Sequence, residues 1–218
     1  MNARRFSQQK LLRDYKIVFD NLQTQEIIKT EMAEYGYDDT EIAKGKALYD
    51  AANDLYLKGI KESQEKTTAY AVFEKSFEDL MEVYKTDRKK AKIIFKNEED
   101  QLKVLRVKGG MPRRQAELLS IIEIFYTTLA ENEGLKTRLN RLKIDNEHIS
   151  SQLNKLTETN TAYANYTREK GESQDATKQK EQAIKALDEW IQEFYSIAKI
   201  ALEDTPQLLE SVAKFIRS

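Results

Sequence analysis

ELLSIIEIFYTTLA, Glu117 to Ala130, is the longest nearly uncharged run in a chain of 218 residues that is 33% charged. Leu118, Leu119, Ile121, Ile122, Ile124, Phe125, Tyr126 and Leu129 place apolar side chains on most faces of a helix. A helix that is apolar almost all round must be enclosed by other elements. The segment reads as the central helix of an all-α fold.

Composition points the same way. The chain holds 7 Gly and 2 Pro, where average usage gives about 15 and about 11. Turns are therefore scarce and elements long, and the abundant Lys, Glu, Gln, Leu and Ala are good helix formers. Cysteine is absent, which excludes disulfides, thiolate catalysis and cysteine zinc sites. The N-terminal stretch MNARRFSQQKLLRDYKIVF is charged throughout, so no signal peptide is expected. No segment approaches the apolar length of a membrane span. A cytoplasmic protein is the expectation.

On the N-terminal side of the central helix, Gly109-Gly110 and Pro112 mark the break that precedes it. Further back, Leu12, Tyr15, Phe19 and Leu22 predict a first helix over Ser7 to Glu34, with a phase slip before Ile28 and Met32 and a stop at Gly36. A second helix repeats Gly45, Ala52 and Gly59 every seven residues, with Tyr49 and Tyr56 interleaved. Such a small-residue stripe lets a neighbouring helix approach closely; glycines tolerated on a wet face are the alternative. KESQEKTT, Lys61 to Thr68, is expected to bend, with a continuous helix as the alternative. A third helix carries Tyr70, Phe73, Phe77, Leu80, Met81, Tyr84, Ala91, Ile94 and Phe95, and Arg88 on this stripe is expected to pack its stem and send its head to solvent. Asn97 is expected to cap a short fourth helix.

On the C-terminal side, Asn132-Glu133-Gly134 stops the central helix. Leu139, Asn146, Leu153 and Asn160 then alternate with Leu142, Ile149, Leu156 and Tyr163 as the a and d positions of a heptad. Asparagine at a positions sets register and oligomer state in coiled coils. The Asn146, Leu153, Asn160 seam is thus a candidate contact, with a helix of the same chain or with a second copy in a homo-oligomer. Tyr166 to Lys178 reads as a loop, followed by a stripe of Ile184, Leu187, Ile191, Phe194, Ala198 and Ala201 beside Trp190. Thr205-Pro206 opens a last short helix.

The two halves align with each other. An offset of 110 pairs Phe77 with Leu187, Tyr84 with Phe194 and Ala91 with Ala201, and an offset of 98 pairs Gly36 with Gly134 upstream. The expected fold is an elongated antiparallel bundle of long helices, built from two tandem repeats of three to four helices each, residues 1–110 and 111–218, packed together.

No P-loop, dinucleotide fingerprint or EF-hand loop occurs. The single histidine, His148, falls at a c position and reads as a surface residue. No catalytic residue, metal site or cofactor is expected, and no small-molecule substrate. One charge asymmetry stands out. Lys85 to Arg114 carries a net +7 against −8 for the remainder, and Lys85, Arg88, Lys89, Lys90, Lys92, Lys96, Arg113 and Arg114 form a candidate basic patch. Cations also complement the C-terminal ends of helices, which is the plainer account. The functional expectation is a non-enzymatic scaffold or adaptor whose patch meets an acidic protein surface. A membrane-binding protein using the patch on anionic lipid is the alternative, an apolar ligand in the bundle core a weaker one. Nucleic acid is disfavoured because no exposed aromatics interleave the cations.

Overall fold

The computed structural model describes the backbone of residues 3–213 and the side chains of residues 8–212. Eight helices and no strand occur among the described residues: α1 (Ala3–Thr24), α2 (Glu26–Glu34), α3 (Asp39–Ile94), α4 (Glu99–Val104), α5 (Gln115–Glu131), α6 (Glu133–Asn140), α7 (Asn146–Ala201) and α8 (Pro206–Ala213). The protein is all-α. None of the described helices is long and apolar enough to cross a membrane.

The chain divides into two compact units, Met1–Ser63 with Glu172–Ser218, and Gln64–Gly171. The boundary expected between residues 110 and 111 falls inside the second. In the first unit, α1, α2 and α8 pack with the start of α3 and the end of α7 around Phe19, Tyr49, Ile191 and Phe194. In the second, α5 and α6 pack with the remainder of α3 and the start of α7. The central-helix segment lies within α5, whose Leu118, Leu119, Ile122, Phe125, Tyr126 and Leu129 are buried in that core.

Neither expected interruption of the long helices exists. Lys61 to Thr68 continues α3 and Tyr166 to Lys178 continues α7, and each helix runs 56 residues. No residue forces a break: the first segment has no Gly or Pro, and the second has only Gly171, which costs ~1 kcal/mol relative to Ala. Conversely, the first helix breaks at Gln25. The heptad is interrupted as well. Lys143 takes a left-handed conformation (φ 61) between α6 and α7, so Leu139 and Asn146 belong to different helices. Within α7, Ile149, Gln152, Leu156 and Thr159 are buried, Leu153 lies at the edge of the core, and Asn146 and Asn160 are exposed.

Helix ends recur 107 residues apart. α1 and α5 stop at Thr24 and Glu131, α2 and α6 start at Glu26 and Glu133, and α3 and α7 match at both ends. Gly36 and Lys143 are both left-handed. Asp38 and Asp145 each accept a backbone N–H three residues on, from Glu41 (2.9 Å) and His148 (2.8 Å). Buried Tyr49, Leu80, Ala91 and Phe95 correspond to buried Leu156, Leu187, Ala198 and Leu202. The helix ends thus coincide at a separation of 107 residues, not at the offsets of 98 and 110. A slip of three residues, from 107 to 110, keeps a helix face, so an apolar stripe fits both of these offsets.

Small residues do admit a close neighbour at one place. A Cβ on Gly45 would lie 2.4 Å from the Trp190 ring, whereas one on Gly59 would meet only Lys180 Cδ at 3.6 Å. Trp190 is wedged there, stacked on Phe194 and Phe19. Gly45→Ala should therefore lower stability by about 1–3 kcal/mol through overpacking. Gly59→Ala should be neutral or stabilise by up to ~1 kcal/mol. Urea unfolding of the two variants reads the difference, and equal effects would contradict the wedge.

Candidate functional site

Two polar features of the second unit stand out, and both start on α3. The first is a buried carboxylate. Asp87 is 1% exposed and sits on the core-facing stripe between Tyr84 and Ala91. Three helices supply its donors: Tyr126 of α5 donates its hydroxyl at 2.9 Å, His148 of α7 places Nε2 at 2.5 Å, and Lys90 of α3 itself donates at 3.1 Å. Burial, then the Asp87 charge, raises the Tyr126 phenol far above its ordinary range. His148 is thus half-buried and engaged, not the free surface residue its heptad position implied.

The corresponding positions of the first unit hold none of this. Phe194 stands for Asp87, Phe19 for Tyr126, Ile197 for Lys90 and Glu41 for His148. There the space is filled by stacked rings, with Trp190 Nε1 donating to Glu41 at 3.0 Å. The backbone therefore accepts apolar filling at this place, and the Asp87 cluster is a feature of one unit. Taking a carboxylate out of water costs several kcal/mol before its partners offset it. Its oxygens are occupied by protein donors, so it ties α3, α5 and α7 together.

The second feature is the basic segment, which divides in two. Arg88 is 9% exposed. Its Nη2 donates to the carbonyls of Val107 (3.0 Å) and Gly109 (2.7 Å), with a longer contact to Gly110. Its head does not reach solvent, because the chain between α4 and α5 offers carbonyls that have no helical partner and a guanidinium can serve several at once. Lys92 donates to Gly109 O at 3.0 Å; burial, then the Arg88 charge, pulls its amine below the ordinary range. Lys90 is held by Asp87. Lys85, Lys89, Lys96, Arg113 and Arg114 are exposed, with Arg114 3.5 Å from Glu117. Of the eight patch residues, then, five face solvent and three hold the fold.

Lys85, Lys89, Lys92 and Lys96 follow spacings of four, three and four along one face. Ile93 stands beside them and is 67% exposed. An open depression of about 520 Å³ lined by Phe77, Met81, Glu78, Glu82, Lys85, Thr86 and Lys89 adjoins the same stripe. Asn97 does not cap α4; Glu98 takes that position and is clasped by Arg138 of α6, with bonds of 2.7 and 2.5 Å.

Compared with protein-family models, with curated proteins and with solved structures, the chain matches none of them. The class that the fold itself defines is an all-α helical bundle.

The Asp87 cluster carries a signal that was legible in the sequence: an Asp at stripe position 87, three and four residues from Tyr84 and Ala91. Its partners, 39 and 61 residues away, were not. Asp87→Ala should destabilise by about 3–5 kcal/mol, since it strands three donors. Tyr126→Phe should cost less, about 1.5–3 kcal/mol. Chemical denaturation ranks them; the reverse order would mean the carboxylate is not the hub.

Proposed function

We propose that the protein is a non-enzymatic helical scaffold or adaptor, built from two copies of one helical module, that docks an acidic protein surface on the stripe of Lys85, Lys89 and Ile93 at the end of α3 and Lys96 in the turn after it. The single observation that carries this reading is a comparison internal to the chain. If helix-dipole complementarity explained the cations, the end of α7 would be equally basic. At the corresponding positions α7 has Gln192 for Lys85, Tyr195 for Arg88, Ser196 for Lys89 and Ile197 for Lys90, and the turn after it has Glu203 for Lys96. Only Lys92 and Lys199 agree, and these are the basic residues of the two last turns. The dipole accounts for that pair. It leaves Lys85, Lys89 and Lys96 unexplained.

The two-copy architecture rests on the common 107-residue register of helix ends, caps and left-handed turns, together with identities such as Leu11 and Leu118, Leu12 and Leu119, Leu22 and Leu129, and Ile42 and Ile149. Relative to its counterpart, one unit is enriched in exposed lysine around an apolar point. This suits a partner surface of carboxylates with an apolar centre.

A fluorescent poly-glutamate peptide titrated by anisotropy tests the docking stripe. The chain should bind it at low salt and release it at high salt. Lys85→Glu with Lys89→Glu and Lys96→Glu should weaken binding by roughly tenfold or more, ~1.4 kcal/mol, and Lys199→Glu should leave it unchanged. Absence of peptide binding together with flotation on anionic vesicles would replace the protein partner by a lipid surface.

A further inference from the structure

Ile93 and Ile200 are 67% and 56% exposed and occupy the same place in the 107-residue register, each at the end of an identical Ala-Lys-Ile, Ala91 to Ile93 and Ala198 to Ile200. The alanines are fully buried, so each tripeptide anchors its helix through the first residue and presents the third outward. Among the other large exposed apolar residues, Ile27 corresponds to Gly134, Leu57 to Ala164, Val72 to Gln179 and Val104 to Ser211, and Tyr35 corresponds to a half-buried Leu142. A single exposed isoleucine is ordinary. One that stands at the same place in both units while its neighbours diverge asks for a reason.

The neighbours diverge in charge. Around Ile93 lie Lys85, Lys89 and Lys96; around Ile200 lie Glu193, Glu203 and Asp204, all exposed. Lys199, next to Ile200 in the chain, folds back over the Tyr195 ring at 4.5 Å. The wider balance agrees, with formal charges of −4 for the unit holding Ile200 and +3 for the unit holding Ile93. The chain thus presents an apolar point in a basic surround on α3 and an apolar point in an acidic surround on α7.

We infer that the acidic surface docked by the α3 stripe belongs to a second copy of this chain, whose Ile200, Glu193, Glu203 and Asp204 face meets Ile93, Lys85, Lys89 and Lys96. This rests on the docking role given to the stripe under the proposed function and names its partner. Burying the two isoleucines against each other supplies the apolar centre, and the opposed charges set orientation and reject like faces. The contact is heterologous, because each copy uses a different face for it. Every added copy leaves one face of each kind open, so assembly proceeds past the pair until a ring closes.

Sedimentation velocity tests it on the full chain. The wild type should show a mass that rises with protein concentration and falls with salt. Ile93→Asp and Ile200→Asp, each alone, should be monomeric, with unchanged circular dichroism because both sites are exposed. An equimolar mixture of the two variants should return to a one-to-one pair and grow no further, since each variant retains the face that the other lacks. A wild type that is monomeric at every concentration overturns the inference, as do single variants that associate like the wild type, or a mixture that stays monomeric. A monomeric chain that still binds poly-glutamate removes only the second copy as partner. Loss of both removes the docking stripe itself.

Discussion

Two uninterrupted helices of 56 residues, α3 and α7, constrain everything else in this molecule. Each contributes its first part to one compact unit and its last part to the other. Within the first unit their segments run antiparallel, with Gly45 against Trp190 and Gly59 near Lys180. Within the second they do so again, with Ser76 hydrogen-bonded to Thr159 and Asp87 to His148. The shorter helices fill the sides: α1, α2 and α8 in one core, α4, α5 and α6 in the other.

Helix ends that coincide at a separation of 107 residues frame two different chemistries. Where the first unit stacks Phe19, Trp190 and Phe194, the second buries Asp87 among Tyr126, His148 and Lys90. Where the end of α7 and the turn after it carry Gln192, Ser196 and Glu203, the end of α3 and the turn after it carry Lys85, Lys89 and Lys96. Arg88 shows how structural and surface roles separate within a single run of cations. It faces inward and supplies donors to the carbonyls between α4 and α5, while Lys89 next to it faces out. The internal counterpart distinguishes residues common to both units, such as Ala91 and Ala198, from residues that belong to one unit. The proposed docking stripe and its proposed partner face are both of the second kind, placed around a point that is common to the two.

Residue types and spacing alone determined the all-α class, the burial of the apolar face from Leu118 to Leu129 and the stop at Gly36. Each follows from local geometry: a 3.6-residue period and a left-handed glycine. Residue types and spacing marked Gly45 and Gly59 alike as places of close approach, and only packing singled out Gly45. Tertiary structure decided what local signals leave open. Polar stretches such as Lys61 to Thr68 and Tyr166 to Lys178 read as turns by composition, yet they contain no residue that forces a turn, and the long-range packing of both flanks holds them helical. The heptad through Leu139 and Asn146 was periodic in sequence but crosses a left-handed residue, and periodicity cannot register a single φ. Only the fold could join Asp87 to residues 39 and 61 positions away, or turn Arg88 inward, because a buried charge is settled by which distant donors and carbonyls arrive beside it.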